Sequence, residues 1–177
     1  MRSYLNGEFY NKFSAPDRAM IAETEVVNND HLWGIPWYYE DDDELIPYGG
    51  DDTTDYIFLL STEEVVKYFG DSGQLNYPEY YPAGIFDLFD EIRAAQHVGG
   101  MYSYTDYDDE SETIKTGIIE AGDYWSWWLR SPGVTSFTAA FVDAYGNIIF
   151  SEDGLAPNFV DSNYVGVRPA MWLYLQR

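Results

Sequence analysis

Cysteine is absent from this 177-residue chain. That removes a disulfide framework, a thiol nucleophile and thiolate metal sites together. Basic residues are scarce: nine Lys and Arg stand against thirty-one Asp and Glu, a net charge of −22. Such a surface repels phosphate backbones and anionic lipid, so neither nucleic acid nor membrane insertion is expected. No apolar run approaches the roughly 20 residues of a membrane span. Met1-Arg2-Ser3-Tyr4 does not open a signal peptide, so an export signal would have to lie upstream. The only histidines, His31 and His97, lack the spacing of a zinc site. Glycine-rich phosphate loops and internal repeats are missing as well.

Aromatic residues, by contrast, are abundant: seventeen Tyr, ten Phe and six Trp. In so charged a chain they suit either a recognition surface or a β-rich core with Tyr along its strands. Three of the Trp fall in Tyr124-Trp125-Ser126-Trp127-Trp128-Leu129-Arg130-Ser131-Pro132-Gly133. A second Trp-Arg unit, Val165-Gly166-Val167-Arg168-Pro169-Ala170-Met171-Trp172, closes the sequence. Arginines beside Trp and Pro in buried strands need carboxylate or carbonyl partners. The structural reading makes Trp127, Trp128, Arg130, Arg168 and Trp172 core residues, with anion binding as the other role open to the two arginines.

Along the chain, Leu5, Phe9 and Phe13 recur every four residues and predict a helix over 4–13. Ser14-Ala15-Pro16-Asp17 caps a short helix through Ile21, and the alternation at Glu23–Val27 predicts a strand. Gly, Pro and acids mark 28–52 as a loop, whose Trp33, Trp37, Tyr38 and Tyr39 either pin it or present it. Tyr56–Leu60 reads as a buried strand, followed by a capping box at Ser61 and Glu64 and a helix ending at Gly70. Ile85, Phe86, Leu88, Phe89 and Ile92 have helical spacing, with His97 late and Gly99-Gly100 as the stop. Residues 101–123 look like a mobile acidic loop. Thr138–Val142 and Asn147–Phe150 flank a hairpin turn, and Val165–Leu175 reads as a last strand in which Pro169 implies an edge or a bulge.

No motif here compels catalysis. Gly70-Asp71-Ser72-Gly73 resembles the nucleophile segment of trypsin-like proteases, but it continues with Gln74 and falls where a helix needs its glycine stop. Asp41–Glu44 and Asp106–Glu112 supply oxygens for calcium without a helix-loop-helix register. No cofactor is expected; calcium stays open. With thirty-one acids, some facing pair is inevitable and its mere presence says nothing of glycoside hydrolysis.

Leu5-Asn6-Gly7-Glu8-Phe9-Tyr10, Asp55-Tyr56-Ile57-Phe58-Leu59-Leu60-Ser61, Trp127–Gly133 and Gly166-Val167-Arg168-Pro169-Ala170 resemble, in order, the motifs of a bacterial family, domain of unknown function 6273. The resemblance spans nearly the whole chain. That family is similar to the C-type-lectin-like fold in its formylglycine-generating-enzyme subclass, where the closing strand carries Gly-[Phe or Val]-Arg. The resemblance implies one α+β domain over 1–177: short helices in the N-terminal half, antiparallel strands and a hairpin in the C-terminal half, and long irregular loops. It also implies strands ahead of Leu5 that this sequence does not carry, leaving an open sheet edge through which copies could associate. The oxidase activity of formylglycine-generating enzymes needs a cysteine pair, which is missing here.

What the resemblance implies for function is a non-catalytic module at a bacterial or phage surface, binding protein or glycan, of the type diversified by retroelements. Its contact residues would be Phe137, Tyr145, Asn147, Phe150, Asp153, Asn158, Asp161, Asn163 and Tyr164, between the two Trp-Arg units. A two-carboxylate hydrolase and a purely structural domain of a larger surface protein are the alternatives.

Overall fold

The computed structural model describes residues 1–30, 48–71, 73, 75, 84–108, 111–134, 138–150, 160 and 165–175. The architecture is α+β, with short helices and several small antiparallel sheets. The first helical segment runs from α1 (Arg2–Tyr4) through a π turn (Leu5–Phe9) and a 3₁₀ turn (Tyr10–Lys12) to extended backbone at Phe13. Leu5 is buried on it, and Phe9 meets Phe13 edge-on at 5.7 Å. Helix α2 (Ala15–Met20) starts where the sequence places its cap, with the Ser14 hydroxyl accepting from the Asp17 N–H at 3.3 Å. Strand β1 (Thr24–Val26) pairs antiparallel with β2 (Thr53–Asp55).

The apolar run Tyr56–Leu60 is buried but is not a regular strand; only Phe58 forms a bridge, to Ala170. Its backbone groups are taken instead by side chains and by single contacts. Asn6 Oδ1 accepts from the Tyr56 and Ile57 N–H groups at 2.8 and 3.0 Å, while Asn6 Nδ2 donates to the Ile57 carbonyl at 2.8 Å. Arg130 donates to the Leu59 carbonyl from Nη1 at 2.8 Å and to the Leu60 carbonyl from its backbone N–H at 3.0 Å. Buried polar groups must be paired, and here the pairs lead in several directions rather than along one ladder.

Helix α3 (Thr62–Phe69) follows with both halves of its capping box formed. Ser61 Oγ accepts from the Glu64 N–H at 3.2 Å, and Glu64 Oε2 accepts from the Ser61 N–H at 3.0 Å. Ser61→Ala should therefore lower stability by about 1 kcal/mol in a denaturant titration, with an unchanged m-value. The helix stops at Gly70, whose φ of +128° disfavours any other residue.

Residues 85–92 do not form the helix their spacing predicts. Ile85 belongs to β3 (Gly84–Ile85), paired with β10 (Ile148–Ile149), and α4 covers only Asp90–Arg93. The Asp87 side chain accepts from the Phe89 N–H at 2.8 Å, a local turn that competes with helix. Phe86, Leu88 and Ile92 are consequently exposed. Instead of a glycine stop, β4 (Ala95–Gln96) comes next and pairs with β7 (Tyr124–Trp125).

The acidic segment after Gly99 is a long hairpin rather than a loop: β5 (Gly100–Asp108) pairs with β6 (Ser111–Ile119) over its full length. Tyr102, Tyr104, Thr113, Ile114, Thr116, Ile118 and Ile119 are strand formers. No two acids are paired directly: Asp106 faces Thr113 and Glu112 faces Tyr107.

The larger sheet has the order β3-β10-β9-β8, with β8 at Trp127–Pro132 and β9 at Ala139–Val142. The β9–β10 hairpin turns at Gly146, where φ is +93° and a Cβ would collide with the Asp90 carbonyl. The core gathers Trp127, Leu129, Phe58, Val65, Val142 and Ile148 between this sheet and α3. The closing segment 165–175 is no strand either. Pro169 lacks an N–H, and the chain makes isolated bridges from Gly166 to Trp127, Ala170 to Phe58 and Leu173 to Ile21. It ties three parts of the fold together at separate points.

Candidate functional site

A cleft of about 500 Å³ opens where the β4–β7 pair meets the closing segment, lined among others by Glu91, His97, Tyr124, Trp125, Trp127 and Arg168. Pairing of Ala95 with Trp125 and Gln96 with Tyr124 builds one wall. The connection to it is fixed by the His97 N–H donating to the Asp123 carbonyl at 2.7 Å and by Gly122, at φ +100°, donating to the His97 carbonyl at 2.9 Å. His97 thus directly follows β4 and is not at a helix end. Its Nδ1 accepts from the Gly99 N–H at 2.9 Å, so in the neutral ring Nε2 carries the hydrogen. Its ring meets Trp125 edge-on at 6.5 Å, and Tyr124 is 55% exposed.

Trp127 marks the inner limit of the cleft. It is 2% exposed, and its Nε1–H donates to the Arg93 carbonyl at 3.1 Å. Arg168 lies over the rings of Trp127 and Phe69, 4.9 Å from each centroid, and Nη1 donates to the same Arg93 carbonyl at 3.2 Å. Burial lowers the Arg168 pKa from its ordinary value, yet the guanidinium remains charged at neutral pH.

Arg130 serves the scaffold. Besides the Leu59 and Leu60 carbonyls, it reaches the Val27 carbonyl from Nε at 3.2 Å and from Nη2 at 3.1 Å, and it pairs with Glu64 of the capping box. The next residue, Ser131, accepts the Thr62 N–H on Oγ at 2.9 Å. The Trp-Trp-Leu-Arg-Ser segment therefore fastens the start of α3. Trp128 is buried and edge-on to Phe141 at 6.0 Å, whereas Trp172 is 44% exposed and edge-on to Tyr68 at 5.5 Å.

Of the residues expected from the sequence to contact a ligand, the three described ones, Tyr145, Asn147 and Phe150, do not line this cleft. Tyr145 is 79% exposed at the β9–β10 turn, and Phe150 is inside the core at 1% exposure. Asn147 is bound to Asp143, N–H to Oδ1 and Nδ2 to Oδ2, both at 2.9 Å. Phe137, Asp153, Asn158, Asp161, Asn163 and Tyr164 lie outside the described residues, as do His31, the loop aromatics 33–39, the acidic run 41–44 and Ser72. Sequence reasoning missed Tyr124 and Trp125 because it assigned the whole Trp-rich stretch to the core, and His97 because it placed that residue at a helix C-terminus. No local signal separates exposed Tyr124 and half-buried Trp125 from the buried pair after Ser126. Among the described residues no cluster of His, Asp and Glu could hold a metal ion.

The model of one family, Domain of unknown function (DUF6273), matches residues 1–175. The chain belongs to that family. No curated protein and no solved structure matches it. Within this DUF6273 domain, Asn6, Arg130 and Ser131 hold the scaffold, and Gly166 and Arg168 border the cleft.

Proposed function

We propose that this DUF6273 domain is a non-catalytic recognition module and that its ligand, a protein or a glycan, is taken by the cleft at Tyr124, Trp125, His97 and Arg168. The observation that carries the reading is an open concavity whose wall presents a half-exposed Tyr beside a Trp, a ring N–H donor and an arginine. Amphipathic rings with a few convergent polar groups make such a site suited to binding. Its volume falls within the range of small-ligand pockets, about 300 to 1,000 Å³. Glu91 is the one carboxylate among the described residues lining it, and no described pair of facing carboxylates favours the two-carboxylate hydrolase.

A kinship with C-type-lectin-like domains accords with this reading. Support comes from the α+β architecture and from the closing Gly166-Val167-Arg168, which bridges to Trp127. A place on a bacterial or phage surface, with variable contact residues, would follow from that kinship. The test is a glycan array together with a surface-protein pull-down, each with and without calcium. The wild-type chain should capture a ligand, and Tyr124→Ala, with an unchanged thermal melt, should bind it about tenfold more weakly. Blank results in both formats would refute a recognition role.

A further inference from the structure

We propose that the cleft is built for an acidic sugar, its carboxylate held by Arg168 and its ring set against Tyr124 and Trp125. The proposal rests on the recognition reading above and names the ligand class of that same site.

The arginines of this chain are informative by comparison. Arg2 reaches Asp55, Arg93 reaches Asp87 and Arg130 reaches Glu64. Arg18, the other described arginine, is spent on the carbonyls of Asn11 and Phe13. With thirty-one acids and nine bases in the sequence, a carboxylate partner is easy to find, and Arg168 has none among the described residues. Its single hydrogen bond among the described residues runs from Nη1 to the Arg93 carbonyl, and the other N–H groups of the guanidinium have no acceptor among those residues. Partial burial without a counter-charge is costly, and a carboxylate entering the cleft would offset that cost. The rings of Phe69 and Trp127, each 4.9 Å away, restrain the guanidinium and so lower the ordering cost of a two-point contact in its own plane.

Sugar is favoured over an acidic peptide by the rest of the lining. Among the residues lining the cleft, Gln96, His97 and Ser126 can donate and Glu91 can accept, and Tyr124 and Trp125 line it as well. That distribution suits a ring carrying hydroxyl groups on its edge and C–H groups on its face. The net charge of −22 opposes any anion at long range. Salt near 0.15 M shortens that repulsion to about 8 Å, so binding is to be measured there.

The experiment is an array of glycans ending in uronic or sialic acid, printed beside the same glycans with the carboxyl group reduced to the alcohol. The acidic members should bind the wild-type chain, and reduction should weaken binding about tenfold or more. Arg168→Gln, checked by thermal melt, should show the same loss for acidic members. Equal binding of acidic and reduced forms overturns the proposal, as does a folded Arg168→Gln that binds acidic members undiminished. The reduced-glycan comparison uses the wild-type chain and holds whether or not the variant folds. Capture of a neutral glycan or of a protein, lost in Tyr124→Ala, overturns the acidic-sugar assignment and preserves the recognition reading. A blank array with a blank pull-down overturns both.

Discussion

Trp127→Ala should destabilise the domain by about 3 to 5 kcal/mol, a fall of about 6 to 20 °C in melting temperature for a chain of this size. The side chain is among the largest that are fully enclosed, and it belongs to the cluster of Phe58, Val65, Val142 and Ile148. Truncation removes that contact area and leaves a cavity, and two further contacts go with it. The Nε1–H bond to the Arg93 carbonyl is lost, and Arg168 loses one of the two rings it lies over. Trp127→Phe separates these contributions. It keeps an aromatic ring for packing and for Arg168 but removes the N–H donor; the Arg93 carbonyl still accepts from Arg168. Its cost should be about 1 to 2 kcal/mol. Equal melting temperatures for wild type and Trp127→Ala would show that the Trp-Arg segments do not organise the core.

How much of this was legible in the sequence depends on the range of the interactions involved. Ser14 and Ser61 were readable because a cap is decided within four residues, and both caps form. The β9–β10 turn was readable for the same reason, since Gly146 supplies a positive φ between two apolar runs. The spacing at 85–92 misled because Ile85 is claimed by β10, more than sixty residues away, as the register with Ile148 shows. Local periodicity cannot report a partner that distant. The β5–β6 hairpin was hidden by its acids. Charge suggested a loop, while the alternation of Tyr, Thr and Ile with polar residues was strand-like, and direct pairing of like charges is avoided.

The cleft was hidden for another reason. Tyr124-Trp125-Ser126-Trp127-Trp128 is uniform in composition, and nothing local says that its first two aromatics flank an opening while the last two are enclosed. That division is set by β4, which pairs with Tyr124 and Trp125, and by β9, which pairs with Trp127 and Trp128. The role of Asn6 was equally invisible, because its hydrogen bonds go to Tyr56 and Ile57. In each case the residue type was visible and the partner was not.

Arg93→Met should lower stability by about 3 kcal/mol, or about 6 to 12 °C, although it replaces a charge by an apolar group of similar length. Arg93 is fully enclosed, and its Nη2 donates to Asp87 Oδ2 at 2.9 Å and to the Gly70 carbonyl at 3.0 Å. The side chain of Asp87 is 3% exposed, so losing the guanidinium removes the counter-charge that Arg93 gives a buried carboxylate. An opposing term makes the outcome informative. Nε and Nη1 of Arg93 are buried without partners, and removing them relieves a desolvation cost of about 1 to 3 kcal/mol each. The loss of charge balance outweighs that relief because a buried ion deprived of its counter-charge costs more than unpaired N–H groups on a guanidinium whose charge is balanced. In the double variant Arg93→Met with Asp87→Asn the relief should dominate. The Asn oxygen can still accept from the Phe89 N–H, no ion is left unpaired, and stability should return to within about 1 kcal/mol of wild type. A double-mutant cycle measured by denaturant titration would decide it. Additive single effects would mean that the Arg93–Asp87 pair is energetically idle, whereas a coupling above about 1.5 kcal/mol would show that each ion is tolerated only because of the other.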